Sequence, residues 1–350
     1  MDATEPLSSV EIRAERAKNP KMRDRDFATQ LGIPEARLLA AYVGQGVTRI
    51  TADLDAVMPA VGRLGDVMAL TRNESCVIEK MGAYADYHSG PLAAMILSQE
   101  IDMRMFPRHW VHGFAVELET DAGTKRSLQL FDAAGDAVHK VFLRDGSLVE
   151  NWASVVQDLK LDSQSDEITF APRTPVESPK ADPSQAAQLR ANWDKLTDTH
   201  QFLQMVRKMK MNRQGAYRIA GAPYVRPLAV SAVETLLNRA ADSDLEIMVF
   251  VGNMGCIEIH TGPVHDIRPM GPWLNVLDPG FNLHLRGDHI AEVWAVTKPT
   301  RRGPAISVEA FREDGLLIAQ FFGVLKGADG AAAWNELVAD LPSLKAEAVA

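Results

Sequence analysis

The residue whose type and setting best suit chemistry is His200. It lies in Thr197-Asp198-Thr199-His200-Gln201-Phe202, where Asp198 reads as a helix N-cap. Phe202, Met205, Val206 and Met209 follow the i, i+3, i+4, i+7 spacing of a core-facing stripe. At 100° per residue His200 falls about 160° from Phe202, on the side of Gln204, Arg207 and Met211. It is therefore not a packed core histidine. It is either a surface residue or a ligand offered to something outside the helix. The positive end of the helix dipole disfavours imidazolium in a first turn, and a neutral imidazole is the form a metal binds. The nearby cations Arg207, Lys208, Lys210 and Arg213 read as a solvated helix face or, beside a neutral histidine, as a means of neutralising a dianion.

A second group lies on strands. In 281–286, Phe281, Leu283 and Leu285 alternate with Asn282, His284 and Arg286, and in 101–105 Ile101, Met103 and Met105 alternate with Asp102 and Arg104. Period two places Arg104 and His284 on equivalent non-core faces. Those faces are solvated, unless the two sheets line a shared cleft. His109 and His112 sit in a strand pattern that points them to opposite faces, and the pairs His260/His265 and His284/His289 lack zinc-ligand company. No dinucleotide fingerprint, Walker loop or nucleophile elbow occurs. Cys76 and Cys256, without flanking cations, read as small buried hydrophobes.

The elements that position these residues are duplicated. Cys76 and Cys256 are 180 residues apart, and the same register pairs Asn73 with Asn253, Gly82 with Gly262, His109 with His289, Ser127 with Ser307, Phe131 with Phe311, Gly135 with Gly315 and Phe142 with Phe322. After a two-residue insertion, Trp152, Val156, Asp158 and Leu159 match Trp334, Val338, Asp340 and Leu341. A missed repeat would mis-assign the whole fold. The domains expected are an N-terminal repeat over 1–161, a linker over 162–185 rich in proline (Pro172, Pro175, Pro179, Pro183), and a C-terminal repeat over 186–350 that carries the His200 helix. Helical spacing occupies 24–42, broken at Gly32-Ile33-Pro34, and 185–220. Strand patterns fill 67–79, 103–119 and 126–143, and again 246–260, 281–296 and 306–325. Strand runs joined by short turns, with helices gathered before and after, imply an α+β fold: a tandem duplication, each half a large antiparallel sheet with helices.

Composition sets the outer bounds. The 350 residues are 46% hydrophobic and 24% charged, with 37 Lys+Arg against 46 Asp+Glu and a net charge of −9. This is ordinary globular composition. Its acidity argues against nucleic acid or an anionic membrane as partner. No apolar run is long enough for membrane insertion, no secretory signal is visible, and two cysteines build no disulfide framework, so a cytoplasmic protein is expected.

Three stretches then resemble one family. Asn253-Met254-Gly255-Cys256-Ile257-Glu258-Ile259-His260-Thr261-Gly262-Pro263, followed by Gly271-Pro272-Trp273 through Leu285-Arg286, is similar to the hallmark of the hemin-degrading factors, the HemS/HmuS/ChuS/PhuS group of heme-binding proteins in bacterial heme uptake. Leu196 to Phe202, continuing to Arg213-Gln214, resembles that group's heme-ligand helix, and Ile101 to Phe106 its distal strand. The resemblance implies one heme per chain in a cleft between two similar halves. The iron ligand then falls on His200, and the distal arginine on Arg104, whose N–H donors would hold a small ligand on the iron. Heme and propionate contacts fall on Phe106, Arg213, Lys298 and Gln320. Where the family carries a tyrosine and an arginine beside the heme, this chain has Phe322 and Leu325, which would weaken propionate anchoring or alter distal chemistry. The first copy has no counterpart of His200.

The function implied is heme binding, followed by heme-oxygenase-like degradation with an external electron donor or by delivery. Other readings are a heme carrier or chaperone without turnover and, from another class, a non-heme scaffold or interaction protein. Expected partners are heme itself and either a heme-uptake transporter or a downstream heme acceptor.

Overall fold

The computed structural model describes residues 7–344 apart from 122, 325 and 326, and leaves the side chains of 327–329 outside the description. The first copy begins with α1 (Ser9–Lys18), α2 (Asp24–Leu31) and α3 (Glu35–Ala40), then β1 (Val47–Ile50) and α4 (Leu54–Gly62). Eight strands follow: β2 (Gly65–Arg72), β3 (Cys76–Gly82), β4 (Tyr87–His88), β5 (Ala94–Leu97), β6 (Asp102–Met105), β7 (His112–Thr120), β8 (Gly123–Phe131) and β9 (Ala137–Ser147), closed by α5 (Trp152–Leu159). The second copy repeats this order with α6 (Ala186–Trp193), α7 (Gln201–Lys208), α8 (Arg213–Ala220), β10 (Val225–Leu228) and α9 (Ala232–Asp242). Its strands are β11 (Ile247–Gly252), β12 (Cys256–Gly262), β13 (Ile267–Met270), β14 (Trp273–Asp278), β15 (Phe281–Arg286), β16 (Glu292–Thr300), β17 (Gly303–Phe311) and β18 (Leu317–Gly323), closed by α10 (Gly327–Ala339).

Local chemistry explains where elements stop. Gly32 ends α2 in the left-handed region at φ 66°, and Pro34 in extended conformation admits α3. The expected strand over 67–79 is instead two strands, β2 and the start of β3. Asn73 Oδ1 accepts the backbone N–H groups of Ser75 and Cys76, each at 2.9 Å, and folds the chain back. Asn253 does the same for Gly255 and Cys256. The stretch 103–119 is likewise interrupted, by a 3₁₀ turn at Pro107–His109. Helices α4 and α9 were not expected. In α4 an internal Pro59 disguises the pattern. Yet α9 buries Ala232, Val233, Leu236, Leu237 and Ala240 in the core of its sheet.

The chain divides into two compact units. One comprises the chain up to Arg72, Glu79–Arg173 and Gly252–Glu258; the other comprises Asn73–Ile78, Thr174–Val251 and the chain from Ile259 onward. In the first unit β1, β7, β8, β9 and β2 form an antiparallel sheet in that order, and β4, β5 and β6 form a meander. Its core includes Val57, Met58, Ile96, Met103, Met105, Leu128, Val141, Trp152 and Cys256. In the second unit β10, β16, β17, β18 and β11 repeat that sheet, with β13, β14 and β15 as the meander. Cys76 and Ile78 sit in its core beside Val249, Leu283, Val308, Phe321 and Trp334. Both cysteines are buried, and burial pushes each thiol well above its usual range.

The first unit also buries a polar cluster. Tyr84 Oη lies 2.5 Å from His139 Nε2, and Thr71 Oγ1 lies 2.8 Å from His139 Nδ1. Glu258, fully buried, has Oε2 3.9 Å from the same Nδ1. Burial pushes Glu258 up to about 8, against the opposing pull of Thr71 and Lys80, and lowers His139 to about 3. Both are thus neutral near pH 7.

Candidate functional site

His200 occupies the N-cap of α7 rather than its first turn. Asp198, expected to cap the helix, closes a turn two residues earlier. Its Oδ1 accepts the His200 backbone N–H at 2.8 Å and faces His200 Nδ1 at 2.6 Å. Those two hydrogen bonds hold the Asp198 carboxyl below the usual range. The His200 side chain is 93% exposed. It borders an open depression of 490 Å³ lined by Thr197, Asp198, His200, Gln201, Gln204 and Arg301. The stripe opposite is buried: Phe202, Val206 and Met209 pack with Trp193 and Tyr217, and the Trp193 and Phe202 rings are 4.7 Å apart. Met211 departs from expectation. The helix ends at Lys208, Lys210 takes φ 57°, and the Met211 N–H turns inward onto the Val206 carbonyl at 2.9 Å, burying the side chain.

Arg213 opens α8. Asn212 caps that helix by accepting from Gly215 N at 3.0 Å, and it also pins the preceding connector through Lys180 N at 3.0 Å. Gly215 is required there, since a Cβ would stand 2.0 Å from the Lys180 carbonyl oxygen. A cation at the positive end of a helix is unfavourable, and Glu309 offsets it: Arg213 Nη1 donates to Glu309 Oε2 at 2.9 Å. The same oxygen accepts from Tyr217 Oη at 2.9 Å, while Oε1 accepts from Lys298 Nζ and Ser307 Oγ, both at 2.8 Å. Burial would raise the Glu309 pKa. Lys298 and Arg213 outweigh that and hold the carboxyl far below its usual range. Burial likewise lowers the Lys298 pKa, with Glu309 opposing. Two cations thus share one buried carboxylate. Lys298 Nζ also lies 5.0 Å from the Phe202 ring centre, which joins this cluster to the helix that follows His200.

Opposed residues of an antiparallel sheet share a face. Trp294, Glu309, Gln320 and Phe250 form one row, because Trp294 opposes Glu309, Glu309 opposes Gln320, and Gln320 opposes Phe250. Val296, Ser307, Phe322 and Met248 form the next. The face therefore carries Arg213's partner, Gln320 and four half-buried apolar side chains: Trp294, Met248, Phe250 and Phe322. The Phe250 and Phe322 rings meet edge-on at 5.1 Å. Leu325 lies outside the described residues.

The first copy builds the same face differently. Phe114, Gln129, Lys140 and Leu70 stand where Trp294, Glu309, Gln320 and Phe250 do. Glu35, the first residue of α3, takes an ion pair with Lys140 and another with Arg72. Burial works against the Glu35 charge, but those two cations prevail and lower it to about 2. Arg23 occupies the N-cap of α2, the place His200 takes at α7.

Arg104 and Phe106 belong to the first unit. Arg104 lies on β6 with its side chain 34% exposed, its Nη1 bonded to the Asp102 carboxylate and, at 3.1 Å, to the Met103 carbonyl. Met103 and Met105 are fully buried on the other face. Phe106, half-buried, leads into the 3₁₀ turn and donates its N–H to the Gly255 carbonyl at 2.9 Å. In the equivalent place in the second unit, His284 Nδ1 lies 2.7 Å from Asn275 Oδ1.

The structure brings Arg213, Lys298 and Gln320 together in the second unit, with His200 on the adjoining helix. Sequence reasoning missed Glu309, Tyr217 and the Asp198–His200 pairing. The usable signal for Glu309 was a carboxylate alternating with Ser307 and Phe311 in an otherwise apolar strand.

Comparison with known proteins gives a consistent placement. The pattern of the haemin-degrading HemS.ChuX domain matches residues 32–159 and 210–341, once in each copy. The hemin transport protein HemS of Yersinia enterocolitica is 35% identical over 328 residues, covering 93% of this chain and 94% of that protein. The crystal structure of holo-PhuS, a heme-binding protein from Pseudomonas aeruginosa, superposes with a TM-score of 0.92 at 41% identity, covering 97% of this chain and all of that one. That of ChuS, an E. coli heme oxygenase, gives 0.84 at 32% identity over 93% of this chain and 98% of that one. With one matched domain in each repeat and relatives aligned along nearly its whole length, this chain belongs to the haemin-degrading HemS/ChuX family.

Proposed function

We propose that this protein binds heme, one per chain, for its degradation or its delivery during heme uptake. The observation that carries the reading is His200: an exposed imidazole whose Nδ1 is engaged by Asp198, which leaves Nε2 available to a metal. The relatives support the ligand, since HemS is a hemin transport protein, PhuS a heme-binding protein and ChuS a heme oxygenase.

The residues present fit such a ligand. His200 Nε2 binds iron. The half-buried Met248, Phe250 and Phe322 offer a flat apolar face to a macrocycle. Arg213 and Lys298, which share Glu309, leave one net positive charge toward a propionate, and Gln320 adds a neutral hydrogen-bonding partner on the same face. In the first unit Arg104 and Phe106, the residues the family resemblance assigns to heme, offer N–H donors and an apolar ring. Heme, when bound, would supply redox chemistry that the side chains lack. The setting is the cytoplasm, between a transporter that supplies heme and an acceptor that takes it. No helix among the described residues is long and apolar enough to cross a membrane.

A second reading, a carrier without turnover, is favoured by Phe322, which has no phenolic hydroxyl. Titration of hemin into the protein tests the first claim: a one-to-one Soret-shifted complex, largely lost in His200→Ala. An unchanged spectrum and affinity in that variant would remove His200 from the site. Ascorbate added to the complex with catalase present then separates the readings. Loss of the Soret band with release of chelatable iron marks degradation; an intact band marks a carrier.

A further inference from the structure

A histidine ring binds a metal through a bare nitrogen, and which nitrogen is bare depends on what holds the other. His200 Nδ1 lies 2.6 Å from Asp198 Oδ1, and the same oxygen accepts the His200 backbone N–H at 2.8 Å. An ionised carboxylate only accepts, so the ring proton must sit on Nδ1. In the neutral ring Nε2 is then the lone-pair nitrogen, on a side chain that is 93% exposed.

The loop holding this pair is braced. Gln201 Oε1 accepts from Thr197 N at 2.9 Å, Gln201 Nε2 donates to Thr197 Oγ1 at 3.2 Å, and Arg301 N donates to the Thr197 carbonyl at 3.1 Å. Asp198 therefore does not act as a helix cap. It caps nothing within α7, whose N-cap is His200 itself; its acceptor is spent on the histidine.

We propose that Asp198 is a positioning residue for His200: it fixes the Nδ1–H tautomer, aims Nε2 outward and strengthens that nitrogen as a donor to heme iron. The proposal rests on the heme reading above. A carboxylate behind a ligating imidazole raises ligand basicity, and losing such a partner typically weakens metal binding about 10- to 100-fold. Added electron density at the iron also favours the ferric over the ferrous state.

The test uses the full chain. Imidazole ¹⁵N NMR of the hemin-free protein should show His200 as the Nδ1–H tautomer in the wild type, and a shift toward Nε2–H in Asp198→Ala. Asp198→Ala should bind hemin about tenfold more weakly and show a higher reduction potential of the bound heme. Asp198→Asn retains an acceptor but no charge, so it should keep the tautomer while still raising the potential, an effect that a purely structural role would not produce. An Nε2–H ring in the wild type, or wild-type tautomer, affinity and potential in both variants, would overturn the proposal. His200→Ala separates the two claims. If it abolishes hemin binding while the Asp198 variants change nothing, only this inference fails; if it leaves binding intact, the heme reading fails first.

Discussion

Arg213 and Glu35 open the third helix of their respective copies and carry opposite charges, each side chain held by an oppositely charged partner from its own sheet. Glu35 stands where the helix dipole favours a carboxylate, and two cations neutralise it. Arg213 stands where the dipole opposes it and shares Glu309 with Lys298, so each copy sets two cations against one carboxylate. One duplicated frame thus builds the same two-to-one cluster twice, with the carboxylate on the helix in the first unit and on the sheet in the second.

Glu309→Gln removes the charge that both cations share. Breaking a buried pair from one side costs about 3–5 kcal/mol, and denaturant unfolding at pH 7 should show a loss of that order. Because the folded-state pKa of Glu309 is depressed, its contribution is present above the unfolded value near 4.5 and fades as pH falls below it. The gap between variant and wild type should therefore narrow toward pH 3.

Glu258 works in the opposite sense. With its folded pKa raised to about 8, the folded state keeps a proton that the unfolded chain releases above about 4.5. Stability from this group falls as pH rises from about 4.5 to about 8, by up to about 1.4 kcal/mol per pH unit, and levels off beyond. Glu258→Gln should flatten that decline in unfolding curves measured from pH 5 to pH 9.

Phe322→Ala should weaken hemin binding about tenfold, ~1.4 kcal/mol, by stripping the sheet face of an aromatic ring. The ring is only half-buried. Its loss should therefore cost less stability than the ~3–5 kcal/mol of a core aromatic truncation. Hemin titration and thermal melting of one preparation distinguish the two effects.

Trp193→Ala tests the scaffold under His200. Trp193 is fully buried, donates Nε1–H to the Thr297 carbonyl at 2.9 Å and packs edge-on against Phe202. Denaturant unfolding should show a loss of about 3–5 kcal/mol, with hemin affinity reduced although no heme contact is removed.

Residue spacing alone carried the duplication, the α+β class and the position of His200 away from the buried stripe. Periodicity and repeat register are local properties, and a strand or helix expresses them wherever it packs. The Asn73 and Asn253 turns were visible only as an unexplained identity. Their side-chain bonds to the next backbone amides split each expected strand in two. Helices α4 and α9 escaped notice because their burial comes from the sheets beneath them.

Alternation and helical pitch follow from backbone geometry, so spacing along the chain already assigns each residue to a face of its element. Tertiary structure alone decided that Arg213, Lys298, Tyr217 and Ser307 converge on Glu309. Those partners are separated by up to 96 positions in the chain. A buried carboxylate selects its donors by proximity in space, which no spacing along the chain encodes.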